Sequence, residues 1–318
     1  MSFELYRESF PFRISEVEIG ASASGNGQQR SLRVGGASTL PFLSFDGAPG
    51  HLPVVGMEVW DVVPEPWPVP LENVFGPVAS DPVGWARHCV EEWGAEFICL
   101  RLRGADPELG DASPEACATL ARDVLDATGV PLVVFGCGND AKDNVVMQKV
   151  SESCAGRRCL IGPVTSDNYR TIAAAAMVNG HLVIAQSPVD VNMQKQICVL
   201  LNDLGLPQTQ IVMDPTTGGL GYGLEYTYSV MERVRLAALQ GESSLASPMI
   251  VFCGFEAWRA KEAKTGPADG VVQGALWEAL TAGTLLQAGA DMLVMLHPEA
   301  TRAVREHIKA LAGGEMAI

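Results

Sequence analysis

The sequence has little positive charge and no long apolar run. Its 318 residues include 22 Lys and Arg against 37 Asp and Glu, which gives a formal net charge of −15. Phosphate binding requires a basic surface, so this balance argues against a nucleic-acid partner. No apolar stretch approaches the roughly 20 residues that span a bilayer, and the first residues form no cationic leader region. We therefore expect a cytoplasmic protein without a membrane partner.

Common motifs of catalysis and metal binding are also missing. The eight cysteines never form a C-x-x-C pair, so we expect no iron–sulfur or zinc centre built from four cysteines of this chain. There is no G-x-S-x-G nucleophile elbow, which argues against a serine hydrolase. His297 follows an apolar run, but no metal-ligand spacing accompanies it. The residues therefore predict no catalytic group and no metal site.

What the chain does contain is a regular alternation of short apolar runs and longer amphipathic segments. The runs are rich in Val, Ile and Leu, as strands buried on both faces of a parallel sheet are. They fall at residues 54–59, 97–102, 132–135, 159–164, 181–185, 210–213, 249–253 and 292–296. Eight helical patterns follow them, and most end at a glycine. This count predicts an α/β fold, a (β/α)8 TIM barrel, with a doubly wound open sheet as the alternative.

The first 50 residues follow a different pattern. Residues 14–19 and 31–34 resemble two strands, and Asn26-Gly27 lies between them as a hairpin turn signal. A further short strand is expected at 39–45. We predict a β-hairpin extension over residues 1–50 that packs on a barrel formed by residues 51–318. The five prolines of residues 62–80 predict a long, structureless loop after the first barrel strand.

Functional residues of TIM barrels lie in the loops that follow the strands, at the C-terminal face. We place a candidate ligand-binding site in the loops after the third, fifth, sixth and seventh predicted strands. Its residues are Cys137, Asn139, Ser187, Asp190, Thr216, Thr217, Gly218, Gly219, Gly254 and Phe255. Amides, hydroxyls and glycine-rich backbone suit a flat ligand fringed with amides better than a small charged ligand. Helix capping is the ordinary explanation for the Asn and Asp residues.

The glycine-rich segment at residues 214–223 lies between a predicted strand and a predicted helix. Its sequence is Asp-Pro-Thr-Thr-Gly-Gly-Leu-Gly-Tyr-Gly, which matches neither the dinucleotide motif G-x-G-x-x-G nor a P-loop. Such a loop exposes backbone N–H groups that can approach a large ligand closely. Glycine loops are also ordinary barrel connections, so the loop alone does not identify a ligand.

The segment that begins at this loop resembles a signature of a known family. Residues 214–239, Asp-Pro-Thr-Thr-Gly-Gly-Leu-Gly-Tyr-Gly-Leu-Glu-Tyr-Thr-Tyr-Ser-Val-Met-Glu-Arg-Val-Arg-Leu-Ala-Ala-Leu, resemble the small (delta) subunit of the corrinoid/iron–sulfur protein of the acetyl-CoA pathway. Supporting matches are Gly35-Gly-Ala-Ser-Thr-Leu-Pro-Phe, Met57-Glu-Val-Trp-Asp-Val, Gly136-Cys-Gly-Asn-Asp-Ala-Lys-Asp-Asn and Ser187-Pro-Val-Asp-Val-Asn. The matches keep their order from about residue 14 to beyond 260, so the resemblance covers most of the chain.

This resemblance implies a TIM barrel that pairs with a large subunit as a heterodimer. In the family, the large subunit holds a 4Fe–4S cluster and a corrinoid-binding domain, and the corrinoid (a cobamide) lies between that domain and the small subunit's barrel face. The complex carries a methyl group from methyltetrahydrofolate, delivered by a methyltransferase, to acetyl-CoA synthase/CO dehydrogenase. The chain would then contribute little catalysis of its own, because the cofactor performs the chemistry, and its barrel mouth would be open. The signature assigns no individual corrinoid contacts, so the candidate residues rest on their position alone.

Two other functions stay open at this point. The first is a stand-alone TIM-barrel methyltransferase that binds the pterin of methyltetrahydrofolate through Asn139, Asp190 and Asp214. Such an enzyme should turn over methyltetrahydrofolate with free cobalamin, whereas a carrier subunit should not. The second is a scaffold that docks the methyltransferase and the synthase without touching the corrinoid.

Overall fold

The computed structural model describes residues 6–20, 30–63, 66–264 and 271–313. Its first two strands, β1 (Val17–Ile19) and β2 (Leu32–Val34), form an antiparallel pair. The pair confirms the expected hairpin, while the predicted Asn26-Gly27 turn lies outside the described residues. Alternate side chains of this hairpin face the end of the barrel, where Val17, Ile19 and Val34 join its interior core.

Eight parallel strands follow and confirm the predicted TIM-barrel fold. They are β3 (Val54–Trp60), β4 (Ile98–Arg101), β5 (Leu132–Phe135), β6 (Leu160–Val164), β7 (Leu182–Gln186), β8 (Ile211–Asp214), β9 (Ile250–Val251) and β10 (Met292–Met295). Hydrogen-bonded neighbours run in the order β8-β7-β6-β5-β4-β3-β10-β9. A parallel bridge between Met213 and Met249 joins the two ends of this order, so the sheet forms a nearly closed barrel.

The helices surround the barrel and cover the outer face of the strands. They are α1 (Val69–Phe75), α2 (Pro82–Glu91), α3 (Pro114–Thr128), α4 (Asp140–Ser153), α5 (Tyr169–Asn179), α6 (Val191–Asp203), α7 (Leu224–Gln240), α8 (Cys253–Ala257), α9 (Lys261–Lys264), α10 (Val271–Gln287) and α11 (Pro298–Gly313). Sequence signals fix several ends: Ser113 caps α3 by accepting from the N–H of Ala116, and Gly129 ends it in the left-handed conformation. None of the helices in the described ranges is both long and apolar enough to cross a bilayer.

Two local predictions are wrong. Residues 39–45 form turns instead of a strand, and the Thr39 hydroxyl donates to the Leu43 carbonyl within them. The proline-rich segment at 62–80 contains α1, with Pro68 at its N-cap and Pro70 in its first turn. Proline is well suited to these positions because the first N–H groups of a helix need no partner within it. The prolines therefore begin a helix there.

The seventh barrel strand is shorter than expected. We predicted a strand over 249–253, but Cys253 already begins α8, and β9 contains two residues. Together, α8 and α9 insert extra backbone between β9 and α10 at the C-terminal end of the barrel. This insertion carries Phe255 over the barrel mouth.

Candidate functional site

The centre of the barrel mouth is filled by Arg101, the last residue of β4. Its guanidinium carbon lies 4.4 Å from the ring centroids of both Phe135 and Phe255 and 5.2 Å from that of Phe252. These distances are in the range of cation–π contacts. Side chains of three separate strand ends therefore meet around one cation on the barrel axis.

Glu58 neutralises this cation from within the barrel. The Nε and Nη2 groups of Arg101 donate to the two oxygens of Glu58 at 2.6 and 3.1 Å, and the indole N–H of Trp60 donates to the same carboxylate. Glu58 is fully buried and Arg101 nearly so. Burial opposes the charge of Arg101, but the carboxylate outweighs it, and the pKa of Arg101 is raised. The pair is a buried, bidentate ion pair.

The expectation of a barrel mouth open at its centre is wrong, because this cluster closes it. TIM-barrel interiors are packed with side chains, and the uppermost layer here contains Arg101 and its rings. The surface that remains for a ligand is the set of loops around the cluster. A flat ligand can bind on such a surface and does not require a deep pocket along the barrel axis.

One part of that surface is a cleft of about 320 Å³ between the loops after β6, β7 and β8. Hydroxyl, amide and carboxylate groups line it together with a few apolar side chains. The lining residues are Asp140, Thr165, Ser166, Asp167, Gln186, Ser187, Pro188, Met193, Gln196, Ile197 and Thr216. Two of the predicted site residues, Ser187 and Thr216, are therefore brought together in this cleft.

Ser187 and Thr216 also hold the loops of the cleft in place. The Thr216 hydroxyl donates to the Ser187 carbonyl at 2.6 Å, and the Ser187 hydroxyl donates to Gln194 at 2.9 Å. Thr216 adopts a φ of +62°, which is strained for a β-branched residue. Its backbone N–H donates to Asp214, which fixes this conformation. Strain of this kind concentrates at functional sites.

Asp214 lies beneath Thr216 at the end of β8. It accepts from the Gln186 amide at 2.7 Å and from the N–H of Thr216 at 2.9 Å. Burial raises the pKa of Asp214 to about 6, against the opposing effect of these hydrogen bonds. Both oxygens of Asp214 accept hydrogen bonds that hold the loop in place. Of these two side chains, Gln186 is the one that lines the cleft.

The remaining predicted residues of the glycine loop connect it to its neighbours. The Thr217 hydroxyl accepts from the N–H of Phe252 at 2.8 Å, and the N–H of Gly218 donates to Thr227. A Cβ on Gly219 would lie 3.0 Å from the Glu256 carbonyl oxygen. Gly219 therefore packs closely against α8, whereas a Cβ on Gly218 would lie 2.5 Å from the backbone of Gly223 within the loop itself.

Gly254 and Phe255 differ in what they present to the mouth. Gly254 is buried, and a Cβ there would lie 2.5 Å from the backbone nitrogen of Leu296. Phe255 is half-buried and projects over the barrel axis between Arg101 and Arg259. Of the two, only Phe255 contributes a side chain to the site.

Cys137, Asn139 and Asp190 lie in capping loops outside the cleft lining. The side chains of Asn139 and Asp190 accept from the N–H groups of Lys142 and Met193 as N-caps of α4 and α6. The N–H and thiol of Cys137 donate to Asp143 at 2.9 and 3.2 Å. Burial raises the pKa of the Cys137 thiol to about 12, so it is a neutral thiol.

Sequence reasoning missed the central residues Arg101, Phe135 and Phe252. Each lies at or next to the end of an apolar run, where a single Arg or Phe has no distinguishing signal. Only the position of Arg101 at the end of a buried strand, where charge is costly, could have indicated an inward-facing partner. Within the described ranges, no group of three or more His, Cys, Asp and Glu side chains is placed to hold a metal ion.

Exposed apolar side chains surround the mouth, and we call this set the rim. They lie in loops after barrel strands or in the first two turns of the helices that follow. The rim consists of Val62, Val69, Leu109, Val145, Met193, Tyr222, Tyr226 and Leu276. Tyr226, for example, is 66% exposed. Exposed apolar residues mark an interaction surface where they form a contiguous patch, and the rim is the candidate for such a surface at this end of the barrel.

The fold and the mouth define a class: a (β/α)8 barrel whose C-terminal face offers a polar cleft and an apolar rim. Its family follows from comparison with known proteins. The family model of the CO dehydrogenase/acetyl-CoA synthase delta subunit matches residues 16–313. The chain belongs to this family, which confirms the resemblance found in its sequence.

Curated relatives agree with this assignment, and solved structures agree with the fold. Acetyl-CoA decarbonylase/synthase complex subunit delta of Archaeoglobus fulgidus is 36% identical, over 98% of this chain and 71% of the relative. The subunits of Methanopyrus kandleri and Methanothermobacter thermautotrophicus are 37% and 38% identical, over 95% and 94% of this chain and 76% of each relative. Dihydropteroate synthase of Thermus thermophilus has a TM-score of 0.55 at 16% identity, over 93% of this chain and 99% of that chain. At that identity the likeness establishes the fold alone.

Proposed function

We propose that this chain is the small subunit of a heterodimeric corrinoid/iron–sulfur methyl carrier. In this function it covers the corrinoid held by a large subunit, while the methyl group passes from methyltetrahydrofolate and its methyltransferase to acetyl-CoA synthase. The observation that carries the proposal is the family match over residues 16–313, together with relatives named as subunits of an acetyl-CoA decarbonylase/synthase complex. The iron–sulfur cluster belongs to the large subunit in this proposal.

The residues of the mouth fit a corrinoid. A corrin is flat and carries amides at its edge, which donate and accept hydrogen bonds without a net charge. The cleft offers acceptors and donors of matching chemistry in Thr165, Gln186 and Thr216, and the carboxylates of Asp140 and Asp167 can accept from amide N–H groups. The half-buried Phe255 offers an apolar surface at the centre. The cleft residues would hold the amides of a bound corrin, and Phe255 would provide an apolar contact.

In this proposal the protein residues bind, orient and exclude water. When bound, the corrinoid supplies the cobalt that carries the methyl group. Arg101 and the phenylalanine rings around it form a rigid surface at the centre of the mouth. This surface has no unpaired charge, since Glu58 neutralises the guanidinium. An apolar, closed surface limits the access of water and oxidants to a reactive centre. The rim provides the contact with the subunit that brings the cofactor.

A stand-alone methyltransferase remains the alternative, and it predicts a different result. A purified chain that transfers the methyl group of methyltetrahydrofolate to free cobalamin would support the enzyme and contradict the carrier subunit. The carrier proposal expects no turnover by the isolated chain. It expects turnover only when the large subunit and the methyltransferase are added.

The direct test is anaerobic co-expression with the large subunit, purification by a tag on this chain, and visible spectroscopy. We expect a complex with corrin and iron–sulfur absorbance. A Ser166→Trp substitution fills the cleft at an exposed position, and it should reduce the retained corrin at least tenfold without loss of the large subunit. Val178→Trp on α5, at a position that is 83% exposed, is the matched control. Equal corrin in both variants would favour the scaffold function instead.

A further inference from the structure

Arg103 is a half-buried arginine at the mouth that has no carboxylate partner. It follows β4 by two residues, and its guanidinium carbon lies 5.5 Å from the centre of the Trp60 ring. Two further arginines of the mouth, Arg101 and Arg259, each form an ion pair with a glutamate. In the part of the chain that the structure describes, no carboxylate oxygen lies within 4 Å of the Arg103 guanidinium. Arg103 therefore brings an unpaired positive charge to the mouth.

The nearby Asp61 holds the backbone next to Arg103 and not its side chain. The N–H of Gly104 donates to both oxygens of Asp61 at 3.0 Å. A Cβ on Gly104 would lie 2.9 Å from one of these oxygens and 2.6 Å from the side chain of Val62, so this position requires glycine. The carboxylate of Asp61 therefore fixes the turn that carries Arg103, while the guanidinium stays unpaired.

The position of Arg103 is unfavourable for its charge. Burial, followed by the nearby charge of Arg101, lowers the pKa of Arg103, and the more distant acids Glu58, Asp61 and Asp106 oppose this effect. An arginine nevertheless keeps its proton at neutral pH. A half-buried charge without a partner costs free energy. A bound ligand that becomes more negative during its function would offset that cost.

We propose that Arg103 raises the Co(II)/Co(I) reduction potential of the corrinoid bound at the mouth. This inference rests on the proposed function, which brings the corrinoid to this surface. Reduction adds one electron to the cobalt, and an unpaired cation nearby stabilises the reduced state more than the oxidised state. Arg101 and Arg259 contribute much less, because the field of each is largely cancelled by its glutamate. Solvent screens a half-buried charge only weakly once a partner subunit covers it.

The experiment is an anaerobic spectroelectrochemical titration of the purified heterodimer at about pH 8, in which visible absorbance reports the oxidation state of cobalt. Arg103→Gln removes the charge and should lower the midpoint potential by about 59 mV, which is a tenfold change in the one-electron equilibrium. Arg103→Lys keeps the charge and should show less than half of this shift. The iron–sulfur cluster of the same sample is an internal reference whose potential should not change.

Arg33→Gln is the matched control, because it removes the same charge at the other end of the barrel. Arg33 lies on β2, in the hairpin that packs against the starts of the barrel strands, and its side chain is 55% exposed. This variant should have the potential of the wild type. If Arg103 served only to pack on Trp60, its variants would change corrin retention or melting temperature and leave the potential unchanged.

Asp61→Asn provides a test of opposite sign that leaves Arg103 in place. The variant removes a negative charge beside Arg103 and keeps an oxygen that can accept from the N–H of Gly104, so it should raise the potential. It decides the question if Arg103→Gln does not retain the corrinoid. An unchanged or lowered potential in Asp61→Asn would then overturn the inference.

The outcomes separate this inference from the proposed function. If no corrinoid co-purifies with the wild-type chain and the large subunit, both are overturned. If the corrinoid is retained and Arg103→Gln has the potential of the wild type, only the inference about Arg103 is overturned. An equal shift in Arg33→Gln would overturn it as well, because the effect would then come from the net charge of the chain and not from the position of Arg103.

Discussion

The guanidinium of Arg101 lies 4.4 Å from the ring of Phe255, and the guanidinium of Arg259 lies 5.7 Å from the same ring. Each cation has its own carboxylate, Glu58 for Arg101 and Glu256 for Arg259. The rings of Trp60 and Phe255 are nearly perpendicular, with their centroids 6.3 Å apart. Phe255 is therefore fixed in place, although the short helix that carries it belongs to an insertion. The following predictions concern this cluster and the residues around it.

Arg101→Met should destabilise the protein by about 3 to 5 kcal/mol, because it leaves Glu58 buried without a counter-ion. Urea unfolding at 25 °C and neutral pH measures this loss. The double variant Glu58→Gln/Arg101→Met removes both charges and should recover most of the stability. If the double variant is no more stable than Arg101→Met, the loss comes from packing and not from the unpaired carboxylate.

Phe255→Ala should weaken the hold on the corrinoid in the proposed complex. The substitution removes the apolar surface at the centre of the mouth and should lower retained corrin by roughly tenfold, or about 1.4 kcal/mol. Absorbance of the purified heterodimer measures it. Phe255→Tyr keeps the ring between the two guanidinium groups and should retain the corrin. Full retention by Phe255→Ala would show that the ring serves the fold alone.

The barrel could be predicted from the sequence because each strand is a local apolar run with a glycine or cap signal nearby. Residues 132–135 illustrate this, since the predicted and observed strands coincide. The centre of the site could not be predicted. Arg101 is buried only because Glu58, 43 residues earlier in the chain, meets it across adjacent strands. Such a pairing depends on the register between neighbouring strands and on the closure of the barrel. The periodicity of apolar residues in the sequence predicts neither.

Capping explains why part of the predicted site lies apart from the cleft. Asn139 and Asp190 follow strands, as ligand-binding residues of barrels do, but their oxygens accept from helix N–H groups. Both uses need the same residue types at the same positions. Ser187 and Thr216 were distinguishable from them only by the cleft that the folded loops create.

Gly254→Ala should destabilise the protein by about 1 to 3 kcal/mol, because the added methyl group would meet the backbone of Leu296 at 2.5 Å. The melting temperature of the isolated chain measures this effect. Gly138→Ala is a useful comparison: nothing lies within 4 Å of its Cβ position, and only its φ of +91° opposes the substitution. The Gly254 variant should be the less stable of the two, and the reverse order would argue against tight packing between α8 and β10.

Glu278 should make the stability of the protein fall as the pH rises. It accepts hydrogen bonds from the Trp258 indole at 2.6 Å and from the Leu296 N–H at 2.5 Å, but burial outweighs them and raises its pKa from 4.5 to about 7. The folded state holds this proton more tightly than the unfolded state. The free energy of unfolding therefore decreases as the pH rises from about 4.5 to about 7. The full cost is on the order of 3 kcal/mol.

Nearby His297 has the opposite effect on stability. The contribution of Glu278 must therefore be measured as a difference between the wild type and a variant. Burial lowers the pKa of His297 to about 4, so its contribution to stability improves as the pH rises towards 6.5. Subtracting the unfolding free energies of Glu278→Gln from those of the wild type, at about pH 5 and about pH 8, cancels the histidine. The wild type should lose stability relative to the variant over this range, because a glutamine side chain cannot ionise. Parallel pH profiles for the two proteins would mean that the Glu278 carboxyl is already ionised at the lower pH in the folded state.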